Sequence, residues 1–505
     1  RGQGVKINSL VTKVCSQKNT RIPTLKNFDE TKEEGGFEGA IVLEPTPGIY
    51  LNDPVSVLDY ASLYPSSIIE KNLSHETYIC SQEDLDKEPE KYKWINYGSE
   101  NDNVNVISYD DYEYELKGKT KHKIKTDTQT TCYFKKEEGG SRGIIPTILQ
   151  TLLDQRKKTR KRIRETDDEN KKKVLDGLQL AYKVTANSVY GQMGAKTSSI
   201  FFKKIAACTT SIGRERIDDA DNGVKEWANE MGYYPPEVIY GDTDSVFVKF
   251  SRKHKDTGKL LEGKEALRYC IDCGVEAGEW ITKHKLYNPQ DLEYEKTFYP
   301  FILISKKRYT GDKYELDHKK PKERTSMGIV MKRRDNAPIV KYVFGNVIEI
   351  IMHQKSIDTA MEWLKDTLQK IKDGEISKSM FIISKSLRGY YKNPDGIAHK
   401  VLADRMAERN PGNKPKPNDR IPYMYRVVDE SPVYSRTLKN GTKKYKKRKI
   451  LQGDRIEHPD YIQEKGEKID YSFYISNQIM NPVKQVLDLE KDKEETNKLF
   501  EEFIQ

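Results

Sequence analysis

Cysteine is scarce in this chain, with six residues among 505, at positions 15, 80, 132, 208, 270 and 273. A disulfide framework requires a dense set of paired cysteines, so this scattering excludes a stapled secreted scaffold and predicts a reducing compartment. Cys270 and Cys273 form a CxxC pair, but a structural zinc site needs a second pair of ligands, and the sequence after Cys273 holds no cysteine. We therefore interpret the pair as a coincidence on one face of a helix.

Long hydrophobic runs are also missing. Hydrophobic residues make up 36% of the chain and charged residues 33%, and no apolar stretch approaches the roughly 18 residues that a membrane-spanning helix needs. No membrane partner is therefore expected. At 505 residues the chain has the length of about three ordinary domains and can bury a large core. It begins Arg1-Gly2-Gln3-Gly4, without methionine or a signal-like segment, and we expect a fragment of a longer protein.

The charge balance is positive. The chain contains 88 Lys and Arg against 78 Asp and Glu, which gives a net charge of +10. Tyrosine is frequent as well, with 31 residues against 14 phenylalanines. A surface that combines cations with aromatic planes suits a polyanionic partner such as a nucleic acid.

Two carboxylates stand two residues apart in the segment Tyr240–Ser245, which reads YGDTDS. The residues before it, from Val238, and after it, through Phe250, have the apolar and β-branched pattern of strands. Side chains at i and i+2 leave the same face, so Asp242 and Asp244 would repel each other unless a cation lies between them. The alternative interpretation is an Asp-rich turn that satisfies its own backbone.

A third carboxylate, Asp59, ends the predicted strand Val55–Asp59 and is followed by YASLYPS. Strands that are distant in sequence can be neighbours in a sheet, so Asp59, Asp242 and Asp244 can converge on one cleft. Three carboxylates around a cleft suit two Mg²⁺ ions about 4 Å apart, one activating an attacking hydroxyl and the other stabilising departing phosphate oxygens. The sequence therefore predicts a site for phosphoryl transfer.

Two long helices are predicted on either side of the turn Asp167–Asn170. The first has apolar residues at helical spacing from Ile145 to Leu152, then Arg156, then a run of cations through Arg164. The second runs from Lys172 to Tyr190. The short connection predicts an antiparallel helical hairpin.

One face of the second helix suits a nucleotide. Helical spacing places Lys183, Asn187 and Tyr190 with Gly191 together, which combines a cation, an amide, an aromatic ring and a bare stretch of backbone. The cation suits a triphosphate and the flat surface suits a base. Arg156 on the first helix can add a second phosphate contact. For Lys183 by itself, a solvated lysine is the ordinary alternative.

The rest of the chain gives weaker patterns. The first thirty-odd residues are polar and are predicted to be irregular. Ile41–Leu43 predicts a short strand, and Ser81–Lys136 predicts a polar surface excursion. Helices are predicted at Ile339–Met352 and Thr359–Lys370. The basic tract Lys439–Lys449 could hold duplex phosphates, act as a nuclear import signal or form a solvated loop.

Three of these segments together resemble the polymerase motifs of family B DNA polymerases. Asp59–Ser66 matches D-x-x-S-L-Y-P-S, Lys183–Gly191 matches K-x-x-x-N-S-x-Y-G, and Tyr240–Ser245 matches Y-G-D-T-D-S, in that order along the chain. The likeness continues through Phe37–Ala40, Leu292–Lys296, Lys306–Tyr309, Val330–Asp335 and Tyr474–Gln478. Within the family, the sequence is most similar to the delta-type replicative enzymes of eukaryotes and of large eukaryotic DNA viruses.

The resemblance implies an α+β multidomain protein with the right-hand arrangement of palm, fingers and thumb. It implies a palm with a mainly antiparallel sheet, fingers formed by an antiparallel helical hairpin, and a mostly helical thumb. The implied division is 1–34 as a linker from a missing N-terminal or exonuclease region, 35–142 and 196–316 as palm, 143–195 as fingers, and 317–505 as thumb. Family members usually carry a 3′-5′ exonuclease domain before the palm, and the residues before Gly35 are too few to supply one.

The resemblance also assigns roles to the residues that match its motifs. The catalytic and metal-binding carboxylates would be Asp59, Asp242 and Asp244, with Glu295 as a further candidate ligand. The incoming nucleotide would contact Ser62, Leu63, Tyr64, Arg156, Lys183, Asn187, Tyr190 and Gly191. Primer or duplex contacts would come from Gly39, Lys306, Lys307, Arg308, Tyr309, Arg333 and Arg334. Tyr64 would lie under the sugar and exclude a ribose 2′-hydroxyl.

The implied function is template-directed extension of a primer 3′-hydroxyl with deoxynucleoside triphosphates in DNA replication, using two Mg²⁺ ions that Mn²⁺ could replace. The implied partners are primer-template DNA, deoxynucleoside triphosphates, and a sliding clamp or accessory subunits, at an intracellular site in the nucleus or at a place of viral replication. Two alternatives stay open. One is a catalytically inactive, polymerase-like DNA-binding scaffold, and the other is an RNA-synthesising enzyme with a related palm, against which the bulk of Tyr64 argues.

Overall fold

The computed structural model describes residues 2–22, 36–95, 103–118, 120–137, 142–333, 335–428, 433–437, 443–447 and 449–504. The helices, in chain order, are α1 Gln3–Gln17, α2 Leu63–Glu70, α3 Gln82–Lys87, α4 Pro89–Tyr92, α5 Ile144–Glu165, α6 Glu169–Gly194, α7 Lys203–Glu230, α8 Gly263–Lys285, α9 Pro338–Glu349, α10 Ile357–Lys372, α11 Ala398–Arg409, α12 Pro459–Lys465, α13 Tyr471–Phe473, α14 Met480–Leu487 and α15 Lys493–Ile504. The strands are β1 Gly36–Phe37, β2 Gly48–Tyr50, β3 Val55–Tyr60, β4 Tyr78–Ser81, β5 Val104–Lys117, β6 Thr120–Lys135, β7 Glu237–Asp242, β8 Ser245–Lys249, β9 Leu292–Ser305, β10 Arg308–Tyr314, β11 Glu323–Met327, β12 Ile383–Ser386, β13 Arg420–Tyr425, β14 Val433–Thr437, β15 Lys443–Lys447 and β16 Ile456–Glu457.

The chain divides into two compact units. The first contains Arg1–Pro45, Asp53–Phe298 and Tyr314–Pro321, and the second contains Thr46–Asn52, Tyr299–Lys313 and Lys322–Gln505. The antiparallel sheets and the helices of both units agree with the predicted α+β class. No helix in the described part of the chain is long and apolar enough to cross a membrane.

An antiparallel sheet centred on β3 forms the middle of the first unit. β3 pairs on one side with β8, which pairs in turn with β7, and on the other side with the first part of β9. Residues Val55–Leu58 of β3 are all buried, as expected for a central strand covered on both faces. Helices α7 and α8 pack on this sheet around Trp227 and Ile281, whose side chains are fully buried.

A second sheet of the first unit has the order β1, β5, β6, β4. The predicted surface excursion is therefore half wrong, because the base of the β5–β6 hairpin contributes Ile107, Cys132 and Phe134 to a buried core. The prediction is right for the far end, where Leu116 is 65% exposed. The alternating pattern could not separate the two halves, because burial here depends on which helices cover the sheet.

The predicted helical hairpin is confirmed as α5 and α6. Helix α6 begins at Glu169 and not at Lys172, because the Asp168 side chain accepts hydrogen bonds from Asn170 N and Lys171 N. The first amides of α5 are held by the turn after α2. Gly143 N donates to Asn72 Oδ1 at 2.9 Å, and the following two amides donate to the side chains of Glu76 and Ser74.

Two sequence-based predictions for the start of the chain are corrected. Residues predicted to be irregular form α1, whose residues Ile7, Val11 and Cys15 are buried against α5 and α6. The i, i+4, i+8 spacing of these three residues is the helical signal that the polar composition obscured. The predicted strand Ile41–Leu43 is reduced to one bridge, between Val42 and Asp242.

The second unit combines strands and helices around its own core. In it, β2 pairs with the second part of β9, and β10 pairs with β11. The predicted helices at Ile339–Met352 and Thr359–Lys370 are confirmed as α9, which continues into a π-helix at Ile350–Gln354, and α10. Strands β12, β13 and β16 form a small sheet beside them. The core includes the fully buried rings of Phe344, Phe381 and Tyr474.

The basic tract Lys439–Lys449 lies only in part within the described residues. The backbone of residues 443–447 forms β15, which pairs with β14, while 438–442 and 448 lie outside the described residues. The division into linker, palm, fingers and thumb stays a prediction. The two compact units cut the chain elsewhere, and they assign Thr46–Asn52 and Tyr299–Lys313 to the second unit.

Candidate active site

Strand pairing brings Asp59 next to the hairpin tip, although 183 residues separate them in sequence, as the difference between positions 242 and 59 shows. Asp59 lies opposite Ser245 of β8 and opposite Glu293 of β9. The next amide along, Tyr60 N, donates to Asp244 O at 2.8 Å. The predicted convergence of Asp59 with the tip is therefore present in the backbone of the first unit.

The tip itself has a strained backbone. Thr243 has φ 62°, in the left-handed region that β-branched residues avoid. Asp244 N donates to Asp242 O at 2.7 Å, which closes a three-residue turn. The segment before β2 holds this conformation, because Thr243 N donates to Ile41 O at 3.0 Å. Strain maintained by surrounding contacts is typical of functional sites.

A close approach at Gly241 fixes the other side of the tip. Leu43 N donates to Gly241 O at 2.9 Å, and a Cβ at Gly241 would lie 2.7 Å from Leu43 Cδ1. Residues larger than glycine would therefore displace Leu43 from the tip. The segment Ile41–Leu43 serves as a support for the two acids, which its sequence did not reveal.

The two acids of the tip have different surroundings. The Asp242 carboxylate accepts a hydrogen bond from Thr243 Oγ1 at 3.0 Å and another from Tyr240 Oη at 3.4 Å, both within its own hairpin. Asp244 shares its negative field with Asp59 across the paired strands. Asp242 is thus held within its own hairpin, whereas the charge of Asp244 acts on Asp59.

The acids of the site act on one another electrostatically, and nearby lysines oppose part of this effect. Burial, together with the negative charges of Asp244 and Glu295, raises the pKa of Asp59 to about 8, while Lys183 and Lys296 oppose the shift. Burial also raises the pKa of Asp244, and the negative charges of Asp242 and Glu295 add to this upward shift. Like charges held together in a partly buried cleft favour the binding of a cation.

The donor set fits Mg²⁺ in its chemistry. Mg²⁺ prefers oxygen ligands and is usually held by one or two carboxylates together with substrate phosphates. Asp59 and Asp244 supply such a pair, and Glu295 acts on both through its charge. Among the described residues, no group of three or more His, Cys, Asp or Glu is arranged to hold a metal ion, so this pair would need oxygens from a substrate to complete a coordination shell.

The start of α2 faces the same cleft. Ser62 has φ 65° and precedes the buried Leu63 at the first turn of α2. The Tyr64 ring lies 4.5 Å from the Tyr190 ring, centroid to centroid, and a Cβ at Gly213 would lie 2.8 Å from Tyr64 Cε1. Tyr64 is thus held between α6 and α7 rather than packed in a closed core.

Arg156 links the helical hairpin to this cleft. Its Nη1 donates to Ser62 Oγ at 3.2 Å and its Nε donates to Gln179 Oε1 at 3.3 Å. Burial and the charge of Arg160 lower the pKa of the Arg156 guanidinium, while Glu293 and Asp59 oppose that shift. The guanidinium therefore lies within the field of the acids.

A cavity of about 950 Å³ opens beside Arg156. Six cations of α5 line it, against the segment from Asn288 to Glu293: Arg156, Lys157, Lys158, Arg160, Lys161 and Arg164. A wall of this charge in a cleft raises the local concentration of anions such as phosphates. Arg162 of the same helix is absent from the lining.

The four residues predicted to form one face of α6 have different surroundings in the structure. The charge of Lys183 lowers the pKa of both Asp59 and Asp244, which brings this lysine into the site. Tyr190 is linked to the site by the contact of its ring with the Tyr64 ring. Asn187 and Gly191 are exposed on the same helix, and the space around Gly191 is open.

The predicted primer contacts lie in the second unit, apart from Gly39. Lys306 and Lys307 are exposed at the turn between β9 and β10. Tyr309 is buried, with its ring 5.7 Å from the Phe301 ring. Arg308 begins β10 and is half-buried.

Two further arginines were predicted in this group. Arg333 pairs with Asp335 at 3.2 Å, whereas Arg334 lies outside the described residues. In the first unit, Gly39 O accepts a hydrogen bond from Arg214 Nη1 at 3.0 Å.

Several site residues escaped the sequence analysis. Lys296 opposes the pKa shift of Asp59 and stands in the segment Leu292–Lys296, whose likeness to the family was a signal for it. Arg214 and Gly213 of α7 reach Gly39 and Tyr64 through tertiary packing. Neither has a local pattern that could have predicted this.

The cysteine pair is confirmed as a feature of a helix face. Cys270 and Cys273 lie one turn apart in α8 and are buried. Burial raises the pKa of Cys270 to about 12 and also raises the pKa of Cys273. Both thiols are therefore protonated and pack as small apolar side chains.

Comparison with known proteins finds relatives that are named DNA polymerases. The chain is 44% identical to a DNA polymerase of Pyramimonas orientalis virus, over 97% of this chain and 41% of that protein. It is 34% identical to the DNA polymerase delta catalytic subunit of Candida albicans, over 96% of this chain and 40% of that protein. The chain thus spans about two fifths of the length of the curated relatives it matches.

A solved structure of a DNA polymerase has a fold similar to that of this chain. The family B DNA polymerase from the hyperthermophilic archaeon Pyrobaculum calidifontis aligns with a TM-score of 0.62 and 21% sequence identity, covering 98% of this chain and 52% of that one. A sequence model described as DNA polymerase family B matches residues 1–489. The resemblance carried by the three motifs is confirmed, and the chain belongs to family B of the DNA polymerases.

Proposed function

We propose that this chain is the polymerase core of a DNA-dependent DNA polymerase, with the sheet around β3 as palm, α5 and α6 as fingers and the part after residue 316 as thumb. The observation that carries the proposal is the meeting of Asp59, Asp244 and Lys183 beside Arg156 and Tyr64. Carboxylates, phosphate-binding cations and a ring at one cleft suit the transfer of a nucleotide. The viral and delta-type relatives support a role in replication at an intracellular site, with accessory subunits.

Positioning and charge carry the proposed reaction. Arg156 and Lys183 would hold the triphosphate, and the backbone at Ser62 and Leu63 would contact its oxygens, so that the α-phosphate lies in line with the primer 3′-hydroxyl. Two Mg²⁺ ions held by Asp59 and Asp244, with Asp242 and Glu295 as further candidate ligands, would supply activation of that hydroxyl and neutralisation of the leaving pyrophosphate. Mn²⁺ has similar ligand preferences.

The direct test is primer extension on a primed DNA template, with and without Mg²⁺. We expect extension that needs Mg²⁺ and deoxynucleotides and that follows the template. A chain that binds primed DNA but never extends it with either Mg²⁺ or Mn²⁺ would be an inactive scaffold, and the proposal would be wrong.

Arg156→Gln should raise the KM for deoxynucleotides by about 10- to 100-fold, because a charge-assisted phosphate contact is lost. Steady-state kinetics with varied nucleotide concentration would measure this. Arg162→Gln is the matched control, since it removes the same charge from the same helix outside the cavity lining. An equal rise in both variants would mean that the general charge of α5 acts, and not a specific contact.

Tyr64→Ala should increase ribonucleotide incorporation relative to deoxynucleotide incorporation by about tenfold or more, because the ring that would exclude the 2′-hydroxyl is removed. The measurement is the ratio of kcat/KM for the two sugars. Tyr64→Phe keeps the ring and should keep the parent's ratio. If the alanine variant also kept it, Tyr64 would be a packing residue between Tyr190 and Gly213.

A further inference from the structure

The far end of the β5–β6 hairpin has two faces of different composition beyond the irregularity at Asp110 and Tyr112. Residues that are paired across two strands share a face. One face is made by the pairs Tyr112/Lys125, Tyr114/Lys123 and Leu116/Lys121. The reverse face is made by Glu113/Ile124 and Glu115/His122. We call the first one the Tyr-Lys face; its three rows contain rings, lysines and one leucine, and Glu113 and Glu115 lie on the reverse face.

The Tyr-Lys face is open to solvent at its outer rows. Tyr114 is 49% exposed and Leu116 is 65% exposed. The Lys123 ammonium lies 4.4 Å from the centroid of the Tyr112 ring, so a cation and a ring already stack here. Exposed rings interleaved with lysines bind unpaired nucleic acid, because bases stack on the rings while the cations neutralise phosphates.

The inner end of this face reaches Phe37, two residues before Gly39, which the resemblance predicts as a primer or DNA contact. The Lys123 ammonium donates to the Phe37 carbonyl, and Gly36 pairs with Tyr112 through β1. A Cβ at Gly36 would lie 2.9 Å from Lys123 Cε and 3.3 Å from Tyr114 Oη. The backbone of β1 is therefore in close contact with side chains of the hairpin. Gly39 follows Phe37 by two residues, so a strand bound at Gly39 would be near the inner end of the hairpin.

Ion pairs near the Tyr-Lys face indicate which of its charged groups could contact DNA. Lys125 pairs with Asp110 at 2.6 Å, and Glu38 pairs with Arg214 at 3.5 Å. These pairs leave the outer rows as the cationic and aromatic part of the face. Tyr114 would offer a ring to a base and Lys121 a cation to a phosphate, since Lys121 is exposed beside Leu116.

We propose that the Tyr-Lys face binds the single-stranded template as it approaches the site of nucleotide addition. The inference rests on the proposed polymerase function and adds to it a contact outside the shared motifs. The three rows extend over about 13 Å, because residues on one face of a strand recur about every 6.7 Å. This is room for a few nucleotides of an unpaired strand.

The test is the binding of primer-template DNA to the full chain in EDTA, with a template overhang of about 12 nucleotides or of about two. Tyr114→Ala with Lys121→Gln should weaken binding of the long overhang by about tenfold and leave the short one unchanged. His122→Gln with Ile124→Ser changes the reverse face of the same part of the hairpin and should leave both affinities at the parent's values. Lys121→Glu, a single substitution of an exposed residue, should also weaken binding of the DNA with the long overhang.

Each outcome separates the explanations. An unchanged affinity for the long overhang in the Tyr114 and Lys121 variants would overturn the proposal, and the face would have to serve another partner such as an acidic protein segment. An equal loss of affinity for both substrates would mean that the face binds duplex DNA, and this result would also overturn the proposal. A parent chain that binds neither substrate would contradict the proposed function itself, because the assay requires no catalysis.

Discussion

Asp244→Asn is expected to reduce primer extension by on the order of 10³-fold or more, while the affinity for primed DNA changes little. The substitution keeps the size of the side chain and removes a negative charge that acts on Asp59 from the turn before β8. A carboxamide binds Mg²⁺ far less strongly than a carboxylate, and several kcal/mol of charge stabilisation in the transition state would be lost. Single-turnover extension rates and DNA binding in EDTA would measure the two quantities separately.

Asp242→Asn is the informative comparison for this prediction. It removes the same charge two residues away, from a side chain that is held by Thr243 and Tyr240 within its own hairpin. We expect a smaller loss of extension rate than for Asp244→Asn. Equal losses would show that both acids are needed in the same way, and extension at the parent's rate by Asp244→Asn would refute the assignment of the metal ligands.

Glu457→Gln is expected to lower the free energy of unfolding of the second unit by about 3–5 kcal/mol, because it breaks a buried ion pair on one side. Glu457 is fully buried, and Arg409 donates to both of its carboxylate oxygens, at 3.1 and 2.7 Å. Arg405 approaches the same carboxylate at 3.5 Å. The glutamine would leave both guanidinium groups without their shared anion. Urea unfolding followed by hydrogen exchange in α11 and β16 would measure the loss.

The pH dependence of this effect follows from the pKa of Glu457. Arg409 and the His458 amide hold the pKa of Glu457 below its ordinary value of 4.5, against the effect of burial. Its stabilising contribution is therefore fully present above about pH 5 and is lost as the pH falls through the folded pKa. The difference between parent and Glu457→Gln should shrink in that acid range and stay constant at neutral pH.

The control for this experiment is Glu408→Gln. Glu408 is exposed on α11 next to Arg409, so the variant loses the same charge from the surface. Such a change usually alters stability by less than about 0.5 kcal/mol. A similar loss in both variants would mean that net charge, and not the buried pair, determines the stability of this unit.

Local patterns predicted those parts of the fold whose chemistry is contained in a short segment. The hairpin tip at Asp242–Asp244 and the helices α5, α6, α9 and α10 were recognisable because turn residues and apolar spacing determine them without distant partners. Prediction failed where distant packing determines the conformation. Helix α1 has a polar average composition but buries Ile7 and Val11, and the base of the β5–β6 hairpin is buried because helices cover it.

The candidate site shows the same limit. The sequence identified Asp59, Asp244, Lys183 and Arg156 as separate motif residues. It could not show that Ile41 and Leu43 hold the strained tip. Backbone hydrogen bonds and the space beside a glycine have no counterpart in the order of residue types.

By itself, the sequence determined the family, the antiparallel helical hairpin, and the identities of the residues that carry charge at the site. These follow from motifs and periodicities that act over a few residues. Only the tertiary structure decided that Asp244 lies close enough to Asp59 to raise the pKa of Asp59, and that Arg214 reaches Gly39. Only the tertiary structure placed the Tyr-Lys face beside Phe37. The physical reason is that charge and packing act through distance, and strand pairing across long stretches of chain sets that distance.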